Sequence, residues 1–225
     1  MGERMTRVFD ILLAGLALLL LSPLLLISIV VLRFTGEGEV FYVQQRVGKD
    51  GRRFGLLKFV TMVKNSPNMA TGTVTLKNDP RILPVGHFFR KTKINELPQL
   101  INILRGDMSI IGPRPQAERC FAAFPVDVQH AISKVRPGLS GIGSIVFRDE
   151  EELLHNAQDD VAFYDRVIAP YKGALEKWYI ENRGIVTYFL LIFTTAWVVV
   201  FPTSKIVWKL FRELPQPPAE LAGRV

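Results

Sequence analysis

Residues 11–32 form an uncharged, strongly apolar run of 22 residues near the start of the chain. A straight helix of that length rises about 33 Å, enough to cross the hydrocarbon core of a bilayer. Three interpretations compete: a cleaved signal peptide, a membrane span, and a helix that enters and leaves on one side. The run is too long for a signal peptide and lacks a small-residue cleavage site after it. Of the two remaining interpretations, a full membrane span is the default.

Ser22-Pro23 lies at the centre of this run. Proline removes a backbone hydrogen bond and disturbs the preceding turn, so we expect a break there, which the Ser22 hydroxyl makes tolerable in lipid. Positive residues flank the run on both sides, namely Arg4 and Arg7 before it and Arg33, Arg46, Lys49, Arg52 and Arg53 after it. Under the positive-inside rule both flanks belong in the cytoplasm. A broken, re-entrant helix satisfies that rule, and a straight span does not.

The whole chain is basic, with a formal net charge of +7. Such a balance suits an anionic membrane surface or nucleic acid. No helix-turn-helix, zinc-knuckle or aromatic-basic RNA motif occurs, so we expect no nucleic-acid partner. The single cysteine, Cys120, excludes an internal disulfide and agrees with a reducing, cytosolic environment.

A β-hairpin is predicted after the apolar run. Residues 40–43 and 54–63 are apolar and rich in β-formers, and residues 48–51 between them have the composition of a turn. Lys58 lies inside the second apolar stretch, where a lysine can simply extend its ammonium to water. Residues 65–75 are polar, with proline and glycine, and predict a loop.

Residues 78–116 carry the densest group of chemical signals. The apolar residues of a short amphipathic helix recur there at helical spacing, namely Leu97, Leu100, Ile101 and Leu104. Asn95 takes the N-cap position, Glu96 lies in the first turn, Pro98 is early enough to be tolerated, and Gly106 ends the helix. Asn95 and Glu96 therefore stand at the positive end of a helix dipole, which suits phosphate or a metal-phosphate complex.

Cations gather around this predicted helix, namely Arg81, Arg90, Lys91, Lys93, Arg105 and Arg114. Arg114 is held between Pro113 and Pro115, which restrict the backbone that carries its guanidinium. Because arginine binds phosphate oxygens at two points, a stiff arginine near a helix start suggests a diphosphate substrate. The alternative is a solvated basic surface beside an ordinary capped helix, and spacing alone does not decide between the two.

The second half of the chain is predicted to be mainly helical. Residues 118–135 and 149–182 have helical character, and Arg136 in the Arg136-Pro137-Gly138 turn is a second candidate phosphate contact. Residues 185–201 form an uncharged run of 17 residues, at the short limit for a span. One face of that run is apolar, with Phe189, Phe193, Trp197 and Val200. We therefore expect an interfacial helix.

Seven short motifs follow one another along the chain, namely Lys58-Phe59-Val60-Thr61-Met62, Asp79-Pro80-Arg81, Arg90-Lys91-Thr92, Glu96-Leu97-Pro98-Gln99-Leu100, Gly106-Asp107-Met108-Ser109, Gly112-Pro113-Arg114-Pro115 and Arg136-Pro137-Gly138-Leu139. In type and order they resemble the bacterial sugar transferase family, the monotopic phosphoglycosyl transferases that start glycan assembly on a polyprenyl-phosphate carrier. The similarity runs over residues 7–202. Together these motifs make a bare basic surface an unlikely account.

The resemblance implies an enzyme and a reaction. A sugar-1-phosphate passes from a nucleotide diphosphosugar, usually a UDP-sugar, to polyprenyl (undecaprenyl) phosphate, and nucleoside monophosphate is released. This would be the first membrane step of exopolysaccharide, lipopolysaccharide or other surface-glycan assembly. By the same resemblance Glu96 binds Mg²⁺, and the phosphates are held by Lys58, Arg81, Arg90, Arg114 and Arg136. The family's Ser-Pro break also favours a re-entrant helix at Ser22 and Pro23.

One expected group is missing, because Asn95 stands where the family has the aspartate of a catalytic Asp-Glu pair. An amide lacks the charge and the free lone pair that attack on phosphorus requires. Four accounts follow: an aspartate replaced by asparagine to trap a complex, an inactive paralogue, another carboxylate (Asp107 or Asp79) in the role, or direct attack by the acceptor phosphate with Asn95 only positioning groups.

The sequence thus predicts a helix-dominated α/β monotopic membrane protein at the cytosolic face of the bacterial inner membrane. Its predicted parts are a re-entrant helix (1–33), a cytosolic catalytic domain with a short β-hairpin (34–184), and a membrane-associated interfacial helix and tail (185–225). Expected partners are the nucleotide sugar, polyprenyl phosphate and anionic phospholipid, with homodimerisation left open. The alternatives are a disabled member that binds nucleotide sugar without turnover, and a basic membrane scaffold with no ligand.

Overall fold

The computed structural model describes residues 2–69, 79–148, 150–153 and 161–225. The fold is dominated by helices, as predicted, and they are α1 (Gly2–Arg33), α2 (Pro84–Lys91), α3 (Gln99–Arg105), α4 (Glu118–Ala122), α5 (Val126–Ser133), α6 (Ile142–Val146), α7 (Glu150–Leu153), α8 (Ala169–Glu181), α9 (Ile185–Val200) and α10 (Ile206–Leu210). A π-helical turn, Tyr164–Ile168, leads into α8. The strands are β1 (Phe41–Val47), β2 (Arg53–Phe59), β3 (Ser109–Ile111) and β4 (Gly138–Ser140).

The predicted loop at residues 65–75 is only partly described. A 3-10 turn, Ser66–Asn68, occupies its first part. Residues 70–75 lie outside the described residues, as do Asn78 and Asp149.

Helix α1 continues through Pro23 without interruption, so the predicted break of the helix at Ser22-Pro23 is not seen. The Ser22 hydroxyl donates to the Leu19 carbonyl at 2.7 Å, and Leu19 is the residue whose carbonyl a residue 23 N–H would otherwise bond. The serine therefore supplies the hydrogen bond that the proline removes, as the sequence predicted. A return of the chain to the same membrane face stays a prediction.

Most of α1 is exposed apolar surface. It is the helix in the described part of the chain that is long and apolar enough to cross a membrane, and 11% of its most apolar window is buried. The largest exposed side chains near its middle are Leu12, Leu16, Leu19, Leu20, Leu26 and Ile27. One side of the helix packs on the rest of the protein, since Ala14 joins a core with α3 and β2, and Leu32, near its end, packs with Phe59 and Phe89.

The first turns of α1 are tied to the globule by ion pairs and hydrogen bonds. Glu3 pairs with Lys49 at 2.6 Å and with Arg136 at 3.2 Å. The Arg7 guanidinium donates to the Ile103 carbonyl at 2.5 Å and to the Leu104 carbonyl at 2.9 Å. These carbonyls belong to the last turn of α3, the negative end of a helix, where a cation is favourable.

Asp10 makes a second junction deeper along α1. Its carboxylate is 2% exposed. One oxygen, Oδ1, accepts hydrogen bonds from Ser109 Oγ at 3.0 Å, the Ile110 N–H at 2.8 Å and the Tyr188 hydroxyl at 2.8 Å. This single side chain therefore joins α1, β3 and α9, and the bonds offset the cost of burying a charge.

The predicted hairpin is confirmed by the antiparallel pair of β1 and β2. Strand β1 extends to Val47, four residues beyond the predicted end, and its register places Tyr42 opposite Lys58 and Arg46 opposite Phe54. Since side chains alternate along a strand, Tyr42, Gln44, Arg46 and Lys58 share one face of the hairpin.

The prediction of the start and of the buried face of α3 is wrong, because the buried face is rotated by part of a helical turn. Residues Ile94–Glu96 form a separate 3-10 turn, Pro98 is the N-cap, and the helix begins at Gln99. Leu104 is 37% exposed, whereas Ile103 and the polar Asn102 are fully buried. Asn102 accepts the Leu57 N–H at 3.0 Å and donates to the Gly55 carbonyl at 2.8 Å, so a side-chain amide fixes α3 on the hairpin. Gly106 ends the helix with φ 95°, as predicted.

Strands β3 and β4 form a short parallel pair that the sequence did not predict. At its end the Gly112 N–H donates to the Ser140 carbonyl at 2.9 Å, and the Gly138 N–H donates to the Pro113 carbonyl at 2.8 Å. A Cβ on Gly138 would lie 2.1 Å from the Gly112 nitrogen, so only glycine fits this backbone contact. The loop that carries Arg114 is therefore anchored backbone to backbone.

Helix α9 confirms the predicted apolar face. Phe189, Phe193, Trp197 and Val200 are exposed, whereas Thr194 is fully buried on the opposite side. The other side of the helix joins the largest core, which also contains residues of α4, α5, α6 and α8.

Candidate phosphate site

Glu96 and Arg114 form the ion pair at the centre of the predicted site. Their side chains approach to 2.9 Å and are 14% and 32% exposed. Burial alone would raise the pKa of Glu96, but Arg114 and then Lys58 outweigh it and lower that pKa to about 2. Glu96 also raises the pKa of Arg114. Both groups are therefore charged at neutral pH.

Lys58 and Arg46 bring further positive charge to this pair. Burial, and then the charge of Arg46, hold the pKa of Lys58 well below its usual value. Burial and the neighbouring Arg114 lower the pKa of Arg46 to about 10. Gln44 Oε1 accepts a hydrogen bond from Arg46 Nη2 at 2.6 Å and one from Lys58 Nζ at 3.4 Å. We call Arg46, Lys58, Glu96 and Arg114 the charge cluster.

Asn95 is buried next to Glu96, with 6% of its surface exposed. It lies inside the 3-10 turn, and its side chain caps no helix, so the predicted N-cap role is wrong. Its Oδ1 has no hydrogen-bond partner among the described residues. The preceding Lys93 has φ 60°, a left-handed conformation that costs energy for a residue with a side chain and that occurs often at functional sites.

Glu176 binds the backbone of Arg114. Its Oε1 accepts the Arg114 N–H at 3.2 Å, and the residue is 1% exposed. Burial raises the pKa of Glu176 to about 7. A Cβ on Gly143 would lie 2.4 Å from Oε1, so the glycine leaves room for this carboxylate.

Arg81 has internal partners that the sequence analysis did not predict. It is fully buried, and Nε and Nη2 bond both oxygens of Asp79, at 2.8 and 2.5 Å. Nη1 donates to the Ser66 and Met69 carbonyls at 2.9 and 3.0 Å. This guanidinium holds the 3-10 turn Ser66–Asn68 in place, and a phosphate contact of Arg81 stays a prediction.

Arg90 and Arg136 lie at different distances from the charge cluster. Arg90, in the last turn of α2, lies close enough to Lys58 to lower its pKa, so it borders the charge cluster. Arg136 Nε donates to the Gly106 carbonyl at 3.0 Å, at the end of α3 away from Glu96. A phosphate contact of Arg136 stays a prediction, and its described contacts join the start of α1 to the end of α3.

The alternative carboxylates are engaged elsewhere. Asp79 is paired with Arg81, and Asp107 accepts a hydrogen bond from Asn102 Nδ2 at 3.1 Å beyond the end of α3. Within the described ranges, no group of three or more His, Cys, Asp or Glu side chains is arranged to hold a metal ion.

The sequence matches a known family over most of its length. The model of the bacterial sugar transferase family matches residues 1–202. The chain belongs to the bacterial sugar transferase family. The motifs predicted this membership, and the charge cluster is built from three of them together with β1.

Curated relatives of this sugar transferase fall into a short and a long class. The exopolysaccharide production protein ExoY of Rhizobium meliloti is 33% identical over 208 residues, which cover 86% of this chain and 84% of the relative. The undecaprenyl-phosphate galactose phosphotransferase of Salmonella typhimurium is 33% identical over 208 residues, but these cover 40% of that protein. The UDP-glucose:undecaprenyl-phosphate glucose-1-phosphate transferase of Escherichia coli is 38% identical over 160 residues, or 34% of that protein.

The sequence analysis missed three site residues of this sugar transferase, namely Arg46, Gln44 and Glu176. Arg46 had been assigned only to the positive flank of the membrane helix. The alternation of Tyr42, Gln44 and Arg46 on one face of β1 could have indicated the first two. Glu176 carries no local signal, because only folding brings α8 to the Arg114 loop.

Proposed function

We propose that this protein transfers a sugar-1-phosphate from a UDP-sugar to undecaprenyl phosphate and releases nucleoside monophosphate, the step that initiates polysaccharide assembly. The relatives named for UDP-glucose, galactose and undecaprenyl phosphate support both substrates. The family match over residues 1–202 supports the reaction class.

The observation that carries this proposal is the unequal charge of the site. Three basic side chains, Arg46, Lys58 and Arg114, lie near one ionised carboxylate, Glu96, and the two arginines alone outnumber it in charge. A site with surplus positive charge in partly buried surroundings favours a dianionic diphosphate and stabilises the charge that develops on the leaving phosphate.

Magnesium fits this arrangement as a substrate-bound ion. Mg²⁺ prefers one or two protein oxygens together with phosphate oxygens and water. Glu96 supplies an ionised carboxylate, and the buried Asn95 Oδ1 supplies an adjacent oxygen without a hydrogen-bond partner. We propose that these two residues hold the ion, which would neutralise the diphosphate.

With asparagine at position 95, we infer direct attack by the acceptor phosphate. An acceptor oxygen forms a bond to the phosphorus that bears the sugar, and the bond from that phosphorus to the nucleoside phosphate oxygen breaks. Asp79 and Asp107 are bonded to Arg81 and Asn102, which argues against either as a substitute nucleophile. The second candidate function, favoured by Asn95 alone, is nucleotide-sugar binding without turnover.

The attachment of α1 supports a location at the cytosolic face of the bacterial inner membrane, with the helix re-entrant or lying in one leaflet. An ideal helix of its length would extend roughly 48 Å. Arg7 and Asp10 bind the globule near its start, and Leu32 packs on it near its end. A straight span would separate these two ends by the bilayer. The exposed side chains between them would lie in lipid.

The test is release of nucleoside monophosphate from UDP-glucose, UDP-galactose and UDP-N-acetylgalactosamine, with undecaprenyl phosphate and Mg²⁺. The natural chain, Asn95→Asp and Glu96→Gln are compared. Turnover by the natural chain that is lost in Glu96→Gln supports direct attack, and a covalent phosphosugar adduct would contradict it.

Turnover by Asn95→Asp alone would identify the natural chain as a disabled member of the family. Donor binding without turnover in both forms supports the binding function. No binding of any donor would overturn the proposal and leave a membrane scaffold.

A further inference from the structure

Gln44 connects two cations on the hairpin. Its Oε1 accepts from Arg46 Nη2 at 2.6 Å and from Lys58 Nζ at 3.4 Å. Gln44 and Arg46 stand two apart on β1, and Lys58 lies on β2 opposite Tyr42, so all three side chains lie on the same face. One neutral oxygen therefore holds two basic groups near each other.

Neither Arg46 nor Lys58 makes a direct ion pair among the described residues, although both feel the charge of Glu96. No ion pair involves Arg46 or Lys58, and Arg46 Nε is buried without a hydrogen-bond partner. The fully buried Arg81, by contrast, is bonded to the carboxylate of Asp79. A buried donor left open is costly unless a ligand completes it.

The open donor lies beside the groups that the proposed function uses. The charge of Arg114 lowers the pKa of Arg46, the charge of Glu96 raises it, and Arg46 in turn lowers the pKa of Lys58. Glu96 is already paired with Arg114, and a bound anion would offset the remaining repulsion between the two guanidinium groups. Arginine is suited to that position because its fork binds two phosphate oxygens at once.

We propose that Arg46 binds a phosphate group of a substrate, and that Gln44 is the positioning residue that holds Arg46 beside Lys58. The inference rests on the proposed function and adds Arg46 to the groups that contact phosphate. The phosphate belongs either to the donor diphosphate or to the acceptor monophosphate, which present the same oxygen chemistry.

The experiment compares Arg46→Gln, Arg46→Lys and Gln44→Glu in the full chain. The control is Arg53→Gln, on the same hairpin, whose side chain is 65% exposed and paired with Glu118. For each variant we would measure kcat, KM for UDP-sugar, KM for undecaprenyl phosphate, UDP binding by calorimetry and thermal unfolding.

Arg46→Gln is expected to lose about tenfold or more in kcat/KM or UDP affinity, the loss typical of one charge-assisted hydrogen bond. Arg46→Lys should recover part of that loss, and Arg53→Gln should match the natural chain. A raised KM for UDP-sugar alone assigns the donor phosphate, and a raised KM for undecaprenyl phosphate alone assigns the acceptor.

Gln44→Glu separates ligand binding from a structural role. The change keeps the shape and both hydrogen bonds, and it places a carboxylate between two cations, so the melting temperature should hold or rise. Anion affinity should fall by about tenfold, because the new carboxylate neutralises the charge that binds phosphate. Unchanged affinity in Gln44→Glu and in Arg46→Gln would overturn the inference.

The proposed function can fail independently of this inference. If no UDP-sugar is turned over by the natural chain, the function fails, while calorimetry with UDP still tests Arg46. If turnover is normal in Arg46→Gln, the function stands and Arg46 has no part in it.

Discussion

Lys58 lies on strand β2 of the hairpin, with its ammonium near Arg46 and Arg114. Burial and these neighbours lower its pKa, so Lys58 loses its proton at a lower pH than an exposed lysine does. A bound phosphate would have the opposite effect and favour the charged form. Binding of an anion at this site should therefore be linked to uptake of a proton by Lys58.

We expect the affinity for UDP to fall as pH rises through the pKa of Lys58 in the free protein. Calorimetry in buffers of different ionisation enthalpy would measure both the affinity and the proton uptake. Lys58→Met should bind more weakly and lose the uptake, whereas Lys64→Met, at an exposed lysine paired with Glu39, should keep it. Affinity of the natural chain that is constant with pH would contradict the role of Lys58.

Glu176 makes a prediction about stability. Its pKa is raised by burial from 4.5 to about 7, so the folded protein holds a proton that the unfolded chain releases. The stabilisation is fully present below pH 4.5 and is lost as pH rises through about 7, with a total of roughly 3 kcal/mol.

Glu176→Gln should remove this pH dependence. Its melting temperature should equal or exceed that of the natural chain above pH 7, with less change between pH 4.5 and 7. Thermal unfolding in detergent across this range is the measurement. Glu181→Gln on the same helix, exposed, is the control, and equal pH profiles for the natural chain and Glu176→Gln would refute the assignment.

At the scale of elements, the hairpin and α3 depend on one amide. Asn102→Ala would leave the Leu57 N–H and the Gly55 carbonyl without their partner. A buried donor or acceptor without a partner costs about 1–3 kcal/mol, so we expect a loss of roughly 3 kcal/mol in unfolding free energy. Chemical unfolding measures it, and Asn68→Ala, at an exposed asparagine, is expected to be neutral.

The elements that the sequence predicted well are those with strong local signals. The long apolar helix, the hairpin, the glycine end of α3 and the apolar face of α9 all follow from composition or spacing. The start and buried face of α3 did not, because Asn102 is polar in sequence yet fully buried by its bonds to β2. The β3–β4 pair was missed since each strand has three residues and the contact joins distant parts of the chain.

The sequence also predicted some features of the candidate site and missed others. Glu96 and Arg114 lie in short motifs and were predicted as site residues, and the structure pairs them. Arg81 carried an equally specific motif, and the structure pairs it with Asp79, two residues away, in a buried ion pair. Its phosphate contact stays a prediction, because a motif does not reveal which internal partners the fold gives to a residue.

For the whole molecule, the decisive property is that α1 is bound to the globule near both of its ends. If the helix does not span, Arg4 and Arg52 lie on the same side of the membrane. We would introduce Arg4→Cys and Arg52→Cys separately in a Cys120→Ser background; both positions are exposed, and Cys120 is free and buried.

Both cysteines should react with an impermeant maleimide in inverted membrane vesicles and neither in intact cells. The Arg52→Cys protein reports the side of the globule and serves as the control. Reaction of the Arg4→Cys protein from the outside would establish a span and refute the re-entrant path.

The Asp10 junction also has a consequence for how the chain is assembled. Its three donors are made long after α1 leaves the ribosome, since Tyr188 is 178 positions further along. Contacts of such separation form late in folding, because a large loop must close first. Until then the Asp10 carboxylate lacks the Tyr188 bond, although Ser109 and Ile110 can already reach it. Only the completed Asp10 junction therefore requires that synthesis has passed α9.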